Sequence, residues 1–134
     1  MLDGHTLNPG DLSWQGLEKF GEVSVYERTP FDDESEILRR IGGAEAVYTN
    51  KTPLTKTIIE GAPNIRFIGV LATGHNVIDI KSAKARGVPV CNVLSYGAQA
   101  VGQFAIALLL EICNRVGHHA QAVAEGRWEH CPDF

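Results

Sequence analysis

The chain has 134 residues and a net charge of −4, with 44% apolar and 21% charged residues. That is one domain's worth of material, and its scattered lysines and arginines leave no basic footprint for nucleic acid. No apolar run approaches the roughly 20 residues that span a bilayer, so the reading is no membrane segment. The opening "MLDGHTLNP" lacks the basic-then-apolar character of a signal sequence. Three cysteines, Cys91, Cys113 and Cys131, are too few and too far apart for a disulfide framework. They read as reduced thiols of a cytoplasmic protein, with Cys91 and Cys113 as small buried hydrophobes.

Taken in chain order, Leu2-Asp3 reads as a strand stump. "DLSWQGLEKFG" reads as a short helix, capped by Asp11, facing Leu12, Leu17 and Phe20 inward and ended by Gly21. "EVSVYER" alternates like a strand through Val23 and Val25. In "DDESEILRRIGG" the Asp33-to-Glu36 spacing resembles a capping box ahead of the stripe Ile37, Leu38 and Ile41. A strand "AEAVYTN", a helix "LTKTIIEGAP" and an apolar strand "NIRFIGVLA" follow. The helix "DIKSAKARG" ends at Gly87, and "VPVCNV" is the last strand.

Short helices between near-continuously apolar strands predict parallel pairing with helices on both faces. The expected architecture is α/β: a flavodoxin-like, doubly wound, five-stranded parallel sheet over residues 1–96. Residues 97–134 differ, with helical character along most of "YGAQAVGQFAIALLLEICNRVGHHAQAVAEG". Seven apolar residues in a row, Phe104 to Leu110, point all round a helix and leave no face for water. Such a helix is either the central one of its own domain or buried by a second layer. The second reading predicts a homodimer through residues 98–125.

Ligands of open α/β sheets bind beyond the carboxyl ends of the strands. The turns there are Asp3-Gly4-His5, Asn50-Lys51-Thr52 and Leu71-Ala72-Thr73-Gly74-His75. Gly74 has no Cβ to hold a ligand away, so the amides of Thr73, Gly74 and His75 can converge on a small carboxylate. Lys51, at the end of a neighbouring strand, can add a positive charge. Alternatively, Gly74 serves turn geometry and Lys51 is a solvated charge. His118 and His119 diverge by about 100° on a helix and cannot chelate one metal together, and no metal site is expected. No two of the 14 glycines lie two positions apart, so the dinucleotide fingerprint G-x-G-x-x-G cannot occur.

"VLATGHNVIDIKSAKARGVPVCNV" resembles the D-isomer-specific 2-hydroxyacid dehydrogenases, on the glycerate dehydrogenase (hydroxypyruvate reductase) branch. The likeness extends through "LDGHTLNPGDLSW", "TNKTPLT", "ALLLEICNRV" and "GRWEHCPDF", nearly the whole chain. It implies a flavodoxin-like substrate domain, then a long helix crossing to a Rossmann domain and packing into a homodimer. It implies an enzyme that reduces a 2-keto acid with NAD as cofactor. By position, Ala72, Thr73, Gly74 and His75 would hold the substrate carboxylate with Lys51 nearby. His5 and His75 stand where relatives often carry Tyr. Val101 and Gln103, early in the long helix, are the cofactor-facing candidates. The family's glycine-rich fingerprint and its catalytic Arg, Glu and His have no counterpart here, so no catalytic residue is expected in this chain. "LSYGAQAVGQ" also departs from the pattern, with Gly97, Ala98 and Ala100 in place of hydroxyl residues and Leu94 in place of a proline.

Two functions follow. One is the substrate-binding part of an NAD-dependent 2-hydroxyacid dehydrogenase, inactive as this chain alone. The other is a stand-alone small-carboxylate-binding or regulatory module without catalysis.

Overall fold

The computed structural model describes residues 1–133. The chain divides into two compact units, one from Met1 to Leu94 and one from Ser95 onward.

In the first unit, β1 (Ala46–Thr49), β2 (Phe67–Val70) and β3 (Val90–Asn92) form a parallel sheet in the order β1-β2-β3. Helix α2 (Glu34–Ile41) precedes β1, α3 (Lys56–Gly61) joins β1 to β2, and α4 (Ile80–Ala85) joins β2 to β3. Each starts on a side-chain cap: Asp33, read from the sequence, and Thr55 and Asp79 each accept the N–H three residues on, that of Glu36, Ile58 and Ser82.

Pairing of Val47 with Ile68 and of Thr49 with Val70 puts these four side chains on one face of the sheet. Ile37 and Ile41 of α2, Ile58 and Ile59 of α3 and Ala83 of α4 join them in the core. The opposite face carries Tyr48, Gly69 and Cys91 in register. Gly69 is bare because a Cβ there would lie 2.5 Å from the Tyr48 ring. Cys91, expected in the core, is exposed because it lies on this second face.

Among the described residues three strands form, where five were expected. Leu2-Asp3 and "EVSVYER" are not strands, although backbone bonds align both with the sheet. Leu2 N–H donates to Tyr48 O (3.0 Å), Tyr26 N–H to Met1 O (3.0 Å) and Gly4 N–H to Tyr26 O (2.9 Å). The ladder is cut short because the chain coils into a 3-10 turn at Gly4–Thr6. Within the three strands the order is sequential and contains no reversal.

The first predicted helix shrinks to α1 (Gln15–Glu18), without a side-chain cap from Asp11 or any other residue. Asn8 accepts the N–H groups of Gly10 (3.0 Å) and Leu12 (2.9 Å), and this local closure competes with a helical start. Leu12 and Phe20 are exposed instead of facing inward.

Glu36 does not reach back to complete a capping box. Its carboxylate takes Arg39 Nε at 2.6 Å and Arg40 Nε at 2.5 Å. Arg40 also donates to Arg28 O and lies over the Tyr26 ring at 4.7 Å, tying α2 to the segment before it.

The second unit holds α5 (Ala98–Asn114) and α6 (Val116–Ala124), bent by 63° where one long helix was expected. The break is Arg115, in the left-handed region at φ 49°. Gly117 N–H then bonds to Glu111 Oε2 at 3.0 Å instead of to a helical carbonyl. Phe104, Ile106, Leu108, Leu109 and Leu110 are all at least half exposed, and Cys113, also expected in the core, is exposed with them. Among the described residues no single helix is long and apolar enough to cross a membrane.

Hydrogen bonds from Arg39 and Arg40 hold the Glu36 carboxyl down at about 2, against 4.5 ordinarily. A depressed acid stabilises the fold above its unfolded pKa and loses that effect as pH falls through the folded value. Glu36→Gln is therefore expected to lower the thermal midpoint at pH 7. Calorimetry should show the difference shrinking between pH 4.5 and about 2.

Candidate functional site

At the carboxyl ends of β1 and β2 the chain makes two turns, joined by Leu71 N–H donating to Thr49 O at 2.9 Å. The first turn is Asn50-Lys51-Thr52. Its three successive N–H groups all point at the carboxylate of Asp3: Asn50 at 2.8 Å, Thr52 at 3.0 Å, and Lys51 between them. Asp3 is 1% exposed and makes no salt bridge among the described residues. Three aligned amides thus take the place of a cation.

Further bonds close this knot. Thr49 Oγ1 donates to Thr52 O at 2.8 Å, Asn50 Nδ2 to Thr6 Oγ1 at 2.9 Å, and Thr6 Oγ1 to Asp3 O at 2.8 Å. The Thr52 hydroxyl is buried with no partner among the described residues. An anion cradle is present here, and the chain's own carboxylate fills it. What the turn offers a ligand is the Lys51 side chain, which is exposed and in no salt bridge among the described residues.

The second turn has the opposite character. Its carbonyls and hydroxyl are tied to the end of β3. Val93 N–H donates to Ala72 O (3.1 Å), Asn92 Nδ2 to Thr73 O (2.7 Å) and Thr73 Oγ1 to Val93 O (2.9 Å). The N–H groups of Ala72, Thr73, Gly74 and His75 donate to nothing among the described residues. Thr73, Gly74 and His75 are exposed, while Ala72 is buried at 9%.

Gly74 does not occupy the left-handed region, so turn geometry does not require glycine there. A Cβ would sit 3.3 Å from Asn76 Oδ1, tighter than an ordinary contact, so a side chain here would have to displace Asn76.

His75 also lines an open cavity of about 660 Å³ between α4 and β3, with Lys84 and Asn92 on its wall. A second hollow of about 750 Å³, lined by Phe20, Arg39 and Ala46 among others, runs along β1 between residues 17–26 and the end of α2, with no residue of either turn in its wall. Sequence reasoning placed Asp3 in a turn at this end but missed its contacts, and it missed Asn92 and the Val93 carbonyl. The Asp3 contacts cross 47 to 49 positions and leave no local pattern.

Val101 and Gln103 both lie on α5 and are exposed. Two positions apart on a helix, their side chains diverge by about 200°, so they do not share one contact point. Among the described residues there is no glycine-rich strand-to-helix turn of the kind that holds a pyrophosphate. The residues of this chain therefore do not fit a dinucleotide by themselves.

The D-isomer specific 2-hydroxyacid dehydrogenase catalytic-domain profile matches residues 6–126. The chain belongs to this family. It is 60% identical over 134 residues to a hydroxypyruvate reductase of Blautia hydrogenotrophica, covering 100% of this chain and 42% of that protein. It is 31% identical over 113 residues to a glycerate dehydrogenase of Methylorubrum extorquens, covering 84% of this chain and 35% of that one. The chain thus spans less than half the length of these curated relatives. Superposition on an acyclic imino acid reductase in complex with NADPH and D-Arg gives a TM-score of 0.72 at 24% identity, covering 86% of this chain and 38% of that one. At that identity the likeness establishes the fold. The family is one of oxidoreductases acting on 2-hydroxy acids.

Proposed function

We propose that this chain is the substrate-binding part of an NAD(P)-dependent D-2-hydroxyacid dehydrogenase of the glycerate dehydrogenase (hydroxypyruvate reductase) type. Ala72, Thr73, Gly74 and His75 hold the carboxylate of a small 2-keto acid, and Lys51 adds a positive charge beside it. The observation that carries this reading is the run of four uncommitted amides after β2, at a glycine whose backbone does not need to be glycine. Charge-assisted hydrogen bonds from such amides are stronger than neutral ones, and they fix the acid's orientation. The nicotinamide and the family's Arg, Glu and His belong to protein outside these 134 residues, so the chain by itself is inactive.

Residues 1–96 are the substrate domain in this reading. Residues 1–5, which bond to β1 through Leu2, and residues 24–27, which bond to residues 1–5, stand for the two further strands of a flavodoxin-like sheet. Residues 97–134 belong to the crossing and dimerising segment. The exposed apolar side chains of α5 support a homodimer through residues 98–125, because water on all of them is costly. Three exposed free thiols fit the reducing cytoplasm.

The 134-residue chain should give only background oxidation of NADH with hydroxypyruvate, read at 340 nm, whereas a polypeptide continued to the length of its relatives should turn over. Turnover by the short chain would contradict the assignment. Micromolar binding of hydroxypyruvate by the short chain would favour a stand-alone module instead. In the longer polypeptide, Gly74→Val should raise KM for hydroxypyruvate by about tenfold or more with kcat little changed, as expected when uniform binding is removed. An unaltered KM would remove the turn from the site.

A further inference from the structure

We infer that Asp3 is a positioning residue: its buried carboxylate occupies the amide cradle after β1 and thereby presents the Lys51 side chain to the acid bound at the neighbouring turn. The inference rests on the carboxylate-site reading above and adds a residue that touches no ligand.

Lys51 sits in the middle of three residues whose N–H groups converge on one carboxyl group, with Asn50 at 2.8 Å and Thr52 at 3.0 Å on either side. A turn held at three successive amides keeps little backbone freedom, so the point from which the Lys51 side chain leaves it is fixed. Asp3 is 1% exposed, so it acts from beneath the turn and leaves the outer side to the lysine. Filling the cradle has a second effect. With those amides committed to Asp3, the N–H groups still free at the joined strand ends are those of residues 72–75. Asp3 therefore sets which of two adjacent turns receives the substrate anion.

An amide in place of the carboxylate tests this. In Asp3→Asn one oxygen remains to accept, while the new NH2 group faces amide donors and the turn loosens. The 134-residue chain is titrated with tartronate, followed by the amide resonances of Thr73 and Gly74, as wild type, Lys51→Met, Asp3→Asn and the double variant. Lys51→Met should weaken tartronate by about fivefold in the wild-type background, the scale of one exposed charge pair. In the Asp3→Asn background the same substitution should cost less than about twofold, because the lysine is no longer aimed. Loss of stability alone would not erase the dependence on Lys51.

An undiminished Lys51→Met effect in Asp3→Asn overturns the inference while leaving the carboxylate site standing. Wild-type resonances of Thr73 and Gly74 that do not move with tartronate overturn both. Should Asp3→Asn not fold, Asp3→Glu takes its place in the cycle, since one added methylene moves the carboxylate off the three amides. The Lys51 dependence should then fall by half or more, and an unchanged dependence overturns the inference.

Discussion

One buried carboxylate that accepts three successive backbone amides organises the functional end of this molecule. Burial of an ionised group is unfavourable unless something replaces its water, and the Asn50, Lys51 and Thr52 amides do so for Asp3. The same bonds satisfy amides that would otherwise end a buried strand without partners. They pin the N-terminal segment against the exit of β1 and complete one turn internally. The neighbouring turn after β2 is built in reverse. Its carbonyls and hydroxyl are engaged by Asn92 and Val93, and its amides stay available. Two similar-looking strand exits thus have opposite electrostatic states, one sealed by the chain and one open to an anion.

Much of this was legible where the signal is local. Parallel strands β1 to β3 show as apolar runs between helices, and the cap at Asp33 closes over three residues. The first thirty residues were not legible, because Asn8 closes a loop that competes with the expected Asp11-capped helix. Helices were expected on both faces of the sheet, and so Cys91 was placed inside when it is exposed. Likewise "FAIALLL" announced a helix with no polar face but not the left-handed break at Arg115. The free amides of the 72–75 turn were anticipated from a compositional cue, a glycine after an apolar strand. The role of Asp3 was not, because its partners lie 47 to 49 residues away.

Physical division of labour follows from the same features. The first unit owns a core that joins α2, α3 and α4 to one sheet face, and it carries both turns. The second unit carries exposed aliphatic side chains from Val101 to Ile112 and, among the described residues, has no glycine-rich strand-to-helix turn. The chain belongs to the D-isomer specific 2-hydroxyacid dehydrogenase family and spans less than half the length of the curated relatives it matches.

The amides after β2 as the seat of the acid are tested most directly by the crystal structure of this chain soaked with tartronate. A carboxylate of the ligand should lie within about 3.2 Å of two or more N–H groups of residues 72–75, with Asp3 still seated in the turn after β1. Tartronate found in the cavity between α4 and β3, or displacing Asp3 from its amides while residues 72–75 stay empty, would contradict the account.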